Sequence, residues 1–167
     1  MAEPQCPYFG TCGGCSSQHI DYDQQLEQKR KQLSQSIHFD DVTVHSGEPY
    51  FYRNRMDFIF HPQGIGLRQK KNWQTIIPIA ACAISEPKIN ALVQEINNFF
   101  STVDSFDVQK HTGAFRYVVI RVTQKETGVS FVLNSQSSRI KEAKEKIQEY
   151  SLQSSADHIL VSFVDPE

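Results

Sequence analysis

The sequence predicts an α+β fold: a mainly antiparallel sheet with helices packed on it, preceded by an N-terminal loop dense in cysteine and glycine. Three observations carry this. From Asp41, apolar and polar residues alternate with a period of two in DVTVH, YFYRNRMDFIFHP, GIGLRQ and QTIIPI, separated by Pro, Gly and Asn. Ile89, Leu92, Val93, Ile96, Phe99 and Phe100 recur at helical spacing. In CPYFGTCGGC, residues 6 to 15, three of the four cysteines crowd among Gly10, Gly13 and Gly14.

Taken in order, Asp21 or Asp23 caps a first helix running to about Ile37. Its apolar stripe, Tyr22, Leu26, Leu33 and Ile37, is narrow, so the helix belongs on the surface. The alternating segments read as an antiparallel meander. Ser85 begins a second helix with Pro87 in its first turn, and its wide apolar stripe packs on the sheet. FRYVVIRVT and VSFVLN form a hairpin through QKETG, a helix runs from about Ser137 to Tyr150, and HILVSFV is a last strand. The organisation is a cluster-binding loop over 1–20, a surface helix over 21–40 and an α+β central domain over 41–167.

At 167 residues there is room for one ordinary domain. A hydrophobic fraction of 39% with 22% charged residues is globular composition, and no run approaches the ~18 apolar residues of a membrane helix. The start, MAEPQCPYFG, has neither a basic leader nor an apolar segment, which predicts a cytoplasmic location and no membrane partner. There, four cysteines are more typical of metal ligands or reactive thiols than of disulfides. A net charge of -2 argues against an indiscriminate polyanion binder, so any nucleic-acid site is a local patch.

Within the loop the spacing is C-x5-C-x2-C, and the remaining cysteine is Cys82, in IAACAISEP. The glycines of CGGC accept positive φ and let backbone N–H groups turn toward sulfur. Structural zinc most often uses two C-x2-C knuckles, and this chain has one. Three close cysteines with one distant are more typical of a [4Fe–4S] cube, whose ligands spread around a larger object. A redox dithiol at Cys12 and Cys15 lacks the preceding strand that such motifs follow.

CPYFGTCGGCSSQHIDYDQQLEQK, YRNRMDF, GIGLRQ and CAISEPKINAL stand in an order that resembles the RNA uracil-5-methyltransferases, which make 5-methyluridine in ribosomal RNA or tRNA, and specifically their [4Fe–4S] branch. The resemblance covers the first ninety-odd residues; the remainder fits the same central domain less distinctively. It implies Cys6, Cys12, Cys15 and Cys82 as cluster ligands, in a domain that sits beside a catalytic domain and helps hold folded RNA. Two parts of the family pattern are missing, an N-terminal OB-like barrel and the Rossmann domain that binds S-adenosylmethionine. The family's chemistry attacks C6 of uracil with a cysteine thiolate and transfers methyl to C5, so it needs an activated thiol and a base. All four thiols are already assigned, and Gly64 and Gly66 form no G-x-G-x-x-G turn, so no catalytic residue is expected here and the chain is inactive alone. Its partners would be RNA and a methyltransferase domain supplied in cis or in trans.

Strand alternation in YFYRNRMDFIFH places Tyr52, Asn54, Met56, Phe58 and Phe60 on one face and Phe51, Arg53, Arg55, Asp57 and His61 on the other. Read in isolation, Arg55 pairs with Asp57 on ordinary solvated surface. The resemblance instead makes Arg53 and Arg55 RNA contacts, with Arg68, Lys70 and Lys71 extending the face. Gln18 and His19 follow the loop directly and are candidates for contacts near the cluster or to RNA, and Trp73 either stacks an unpaired base or lies partly buried against the sheet. Lys29, Arg30 and Lys31 read as a solvated face, and the charges of the third helix as self-paired. Two rival readings stand beside the methyltransferase fragment: a stand-alone zinc-stabilised RNA-binding module, and a small electron carrier of ferredoxin type.

Overall fold

Residues 1–166 are described by a computed structural model. After the cysteine loop comes α1 (Tyr22–Ile37), then β1 (Arg55–His61), β2 (Gly64–Gln69), β3 (Asn72–Pro78), α2 (Pro87–Phe99), β4 (Phe115–Val122), β5 (Thr127–Asn134), α3 (Ile140–Ser151) and β6 (His158–Val164). The six strands form one sheet in the order β3-β2-β1-β4-β5-β6. All neighbours are antiparallel except β5 and β6, which run parallel across the α3 crossover. The α+β expectation holds. Period-two patterning leaves strand direction open, and it is the intervening helix that makes the last pair parallel.

Alternation in β1 buries Met56, Phe58 and Phe60. Register puts Phe58 opposite Val118 and Val118 opposite Phe131, so β1, β4 and β5 offer one apolar face. α2 lays Ile89, Leu92, Val93 and Ile96 against it, and α3 adds Ala143, Ile147 and Tyr150. Phe100, fully buried at the end of α2, gathers Phe60, Phe115, Phe131 and Tyr150 with ring centroids 5.2 to 5.7 Å apart. Removing such a ring typically costs about 3–5 kcal/mol. The opposite sheet face, with Arg55, Asp57, Ile59, Tyr117 and Val119, lines open cavities instead.

Several expectations need correction. DVTVH is irregular, because none of its residues finds a ladder partner and Val44 stays exposed. β1 starts at Arg55, so Tyr52 and Asn54 are exposed lead-in residues rather than core. α2 is capped at Glu86 and α3 begins at Ile140, each slightly later than predicted. α1 does lie on the surface, with Ser34 its only buried residue, but the Asp21 carboxylate takes the Met1 ammonium at 3.1 Å instead of capping the helix. Among the described residues no helix is long and apolar enough to cross a membrane.

Candidate functional site

The cysteine loop folds back on the far end of β2. Gly13 N–H donates to the Arg68 carbonyl at 2.9 Å and Lys70 N–H to the Thr11 carbonyl at 2.7 Å, pairing Cys12 with Gln69. Gly13 is needed here for closeness rather than for an unusual φ: a Cβ would stand 3.1 Å from the Arg68 oxygen. The positive φ expected within CGGC occurs instead at Gly10, at +88°. The Tyr8 hydroxyl accepts the Ala80 N–H at 3.1 Å and ties the loop to the segment after β3.

That segment carries Cys82. Its N–H donates to Asn90 Oδ1 at 2.8 Å and its carbonyl accepts from Asn90 Nδ2 at 3.1 Å, so the first turns of α2 set its position. Cys6, Cys12, Cys15 and Cys82 consequently line one narrow cavity, walled by Tyr8, Phe9, Met56, Leu67, Ile79 and Ile84. All four thiols are free; Cys12 and Cys82 are buried, and Cys6 and Cys15 partly so.

The electrostatics register the convergence. Burial pushes the Cys12 thiol up; the Gly14 N–H, 3.4 Å from its sulfur, opposes this, and the thiols of Cys82, Cys15 and Cys6 add to it. Burial likewise raises Cys15, against a lowering influence from Gln18, with Cys82 and Cys6 raising it further and the Arg53 guanidinium lowering it. Gln18 is buried: its Oε1 accepts the Cys6 N–H at 3.3 Å, and its side chain hydrogen-bonds toward the Cys15 thiol. Among the described residues, no group of three or more His, Cys, Asp or Glu side chains is drawn tightly enough to hold a single metal ion.

The predicted cations separate into different surroundings. Arg53 is exposed, lines both the cysteine cavity and the trough on the open sheet face, and has no carboxylate partner among the described residues; its Nη1 lies 3.7 Å from Met56 Sδ. Arg55 forks onto Asp57 with bonds of 2.9 and 3.0 Å, the arrangement read from these two residues in isolation. Arg68 donates to the Trp73 carbonyl and lies 5.6 Å from the centre of its ring. Lys70 stands over Phe9 at 5.9 Å, and Lys71 occupies the β2–β3 turn at φ 63°. His19 is exposed and packs at 5.6 Å on Phe9, a wall residue of the cysteine cavity. Trp73 is 57% exposed, not buried against the sheet. On the helices the discounted charges are self-paired, Arg30 and Lys31 with Glu27, and Arg139 with Glu142.

Sequence reasoning missed Asn90 and Tyr8, which position the site through hydrogen bonds to Cys82 and Ala80. Both stand in the quoted motif blocks, but no spacing rule distinguishes them from their neighbours.

No protein-family model matches the chain. It is 34% identical to the tRNA (uracil(54)-C(5))-methyltransferase of Pyrococcus abyssi over 133 residues, covering 77% of this chain and 33% of that protein. It is 27% identical to a 23S rRNA (uracil(1939)-C(5))-methyltransferase of Erwinia tasmaniensis over 163 residues, 90% of this chain and 35% of that one. The crystal structure of the Pyrococcus abyssi enzyme in complex with S-adenosyl-L-homocysteine superposes with a TM-score of 0.72 at 28% identity, covering 95% of this chain and 38% of that chain. The chain thus spans about a third of the length of the curated relatives it matches. By sequence and by fold, this chain is related to the RNA uracil-C5-methyltransferases that act on tRNA and rRNA.

Proposed function

We propose that this chain is the iron–sulfur, RNA-binding part of an S-adenosylmethionine-dependent RNA uracil-C5-methyltransferase, with methyl transfer carried out by a catalytic domain outside it. The observation that carries the reading is the meeting of Cys6, Cys12, Cys15 and Cys82 in one cavity, although the fourth lies beyond three strands from the others. The residues fit a [4Fe–4S] group. Four thiols with no carboxylate among them, a largely apolar wall, and the Gln18 carboxamide beside Cys15 suit a sulfide-rich anionic object. Zinc draws its sulfurs to about 2.3 Å from one ion, whereas a cube takes ligands spread around a larger object, which suits three cysteines from one loop and a fourth from beyond β3.

When bound, the group supplies a cross-link between the loop and the β3–α2 connection; the methyl transfer is redox-neutral and takes nothing else from it. The chain's own residues do the rest. Gly14 N–H and Gln18 Nε2 offer hydrogen bonds to sulfur, and binding requires Cys12 and Cys15, both raised by burial, to release their protons. Arg53, exposed at the junction of cavity and open sheet face, meets the RNA backbone as a forked cation. Uracil chemistry needs a further thiolate and base, which the catalytic domain would bring.

The test is iron, sulfide and zinc analysis with a visible spectrum, on protein purified without air, beside Cys82→Ser. A brown protein with four irons and four sulfides per chain, lost in the variant, is the expected result. One zinc in a colourless protein would replace this reading with a stand-alone zinc-stabilised RNA-binding module.

A further inference from the structure

A second cavity on the open sheet face lies apart from the cysteines, and the proposed cluster has no use for it. It has a volume of about 460 Å³ and is walled by Trp73, Phe106, Tyr117, Arg68, Arg116 and His61. That volume is in the range of small-ligand sites. Its aromatic content is unusual for a surface recess: Trp73 is 57% exposed, and Phe106 and Tyr117 are only half buried.

Two guanidiniums accompany these rings. Arg116 stacks over Phe106 at 4.3 Å and beside Tyr117 at 5.7 Å, and Arg68 packs against Trp73. Among the described residues neither guanidinium has a carboxylate partner. The carboxylate in the wall, Asp107, is already taken by Lys110 at 3.4 Å and by the N–H groups of Gln109 and Lys110. The uncommitted charge of the recess is therefore positive. Two buried nitrogens on its lining residues, His61 Nε2 and Arg116 Nε, have no hydrogen-bond partner. His61 Nδ1 accepts the Gln63 N–H at 3.3 Å, which in the neutral ring puts the hydrogen on Nε2 and makes it a donor. Burial favours that neutral ring, and a main-chain hydrogen bond at Ile65 works against it.

Aromatic faces and guanidiniums without a carboxylate partner suit a flat, acceptor-rich group carrying negative charge, and an unpaired nucleotide of RNA has all three. The recess adjoins the larger trough of about 720 Å³, sharing Ile59, Arg68 and Tyr117 with it, and the trough runs to Gly13, Gly14 and Arg53 at the cysteine loop. We infer that the open face of the sheet is a track for single-stranded RNA leading from Arg53, and that one unpaired base is held in the recess among Trp73, Phe106 and Arg116. This rests on the RNA-binding reading above and adds to it the strandedness of the RNA and a base-holding site.

Trp73 is the chain's single tryptophan, so its emission reports on this recess alone. The experiment titrates the chain at low salt with end-labelled oligouridylate, following label anisotropy and Trp73 emission together, with an abasic strand of the same length and a duplex as comparisons. His61→Ala and Arg116→Gln are titrated in parallel. Arg116 also donates to the Asp165 carbonyl, so circular dichroism and the thermal midpoint check its variant, and Trp73→Leu, followed by anisotropy, supplies an independent loss. Expected are quenching by oligouridylate but not by duplex, and affinity lowered about tenfold in the variants and for the abasic strand, the scale of one base–aromatic stack. Binding by anisotropy with unchanged emission and wild-type affinity in all three variants would overturn the recess while leaving RNA binding in place. Equal binding and quenching by the abasic strand would reduce it to a phosphate contact. No anisotropy change with any RNA would remove the underlying reading and this inference with it.

Discussion

Asn90 holds Cys82 from both sides, accepting its N–H at 2.8 Å and donating to its carbonyl at 3.1 Å through one carboxamide. The cysteine furthest in sequence from the loop is thus set by a side chain of α2, and its position is inherited from the helix that packs on the core.

Asn90→Leu removes both bonds and leaves the Cys82 amide without its partner. At about 1 kcal/mol per neutral hydrogen bond, the variant is expected to lose about 2 kcal/mol of stability in denaturant titration. On the proposed cluster reading it should also lose iron faster in air than wild type. Unchanged stability together with unchanged iron retention would show that α2 does not set Cys82.

Arg53 and Arg55 are neighbours in the motif YRNR but not equivalents. Arg55 is committed to Asp57, whereas Arg53 has no carboxylate to leave. Arg53→Ala is expected to weaken RNA binding several-fold and to lower the slope of log affinity against log salt by about one. Arg55→Ala should change both much less. Equal effects from the two, measured in one salt series, would mean that the Arg55–Asp57 pair opens on binding.

Glu95 joins α2 to the end of α3, accepting the Tyr150 hydroxyl at 2.6 Å, the Ser154 hydroxyl at 2.7 Å and the Ser155 hydroxyl at 2.7 Å. Partial burial works against its ionisation, but these hydrogen bonds outweigh it and hold the carboxyl below its ordinary 4.5. A group depressed in the folded state contributes stability above its unfolded pKa and loses it as pH falls through the folded one. Thermal midpoints followed from neutral pH down through that acid range should therefore fall more steeply for wild type than for Glu95→Gln. Parallel curves would assign the acid sensitivity elsewhere.

Gly66 faces β3 so closely that a Cβ would stand 2.3 Å from the Ile77 carbonyl oxygen and 2.7 Å from Ile76 Cγ2. Gly66→Ala must push β3 outward, an overpacking change of about 1–3 kcal/mol. The urea midpoint should drop while the far-ultraviolet spectrum keeps its sheet signature. A midpoint matching wild type would mean that β3 yields without cost.

What the sequence discloses depends on whether one residue's neighbours are local. The stripe from Ile89 to Phe100 and the alternation Met56, Phe58, Phe60 each state which face is buried, and the structure buries them, Phe99 partly. DVTVH has the same alternation but no partner strand, a fact that lies elsewhere in the chain. The parallel setting of β6 is equally silent, since period two is the same in both directions. At the site, the spacing of Cys6, Cys12 and Cys15 points to a shared centre because few residues separate them. Asn90, Tyr8 and the exposure of Trp73 depend on how distant segments cross, and a single sequence does not display that.

The bonds that sew the loop to β2, Gly13 to Arg68 and Lys70 to Thr11, are main-chain bonds that ask nothing of sulfur. This sets an order of assembly. On the proposed function, the sheet and its stitched loop form first and present four thiols already gathered, so that cluster loading would fill a finished seat. That differs from zinc fingers, where the metal must arrive before there is a fold to receive it.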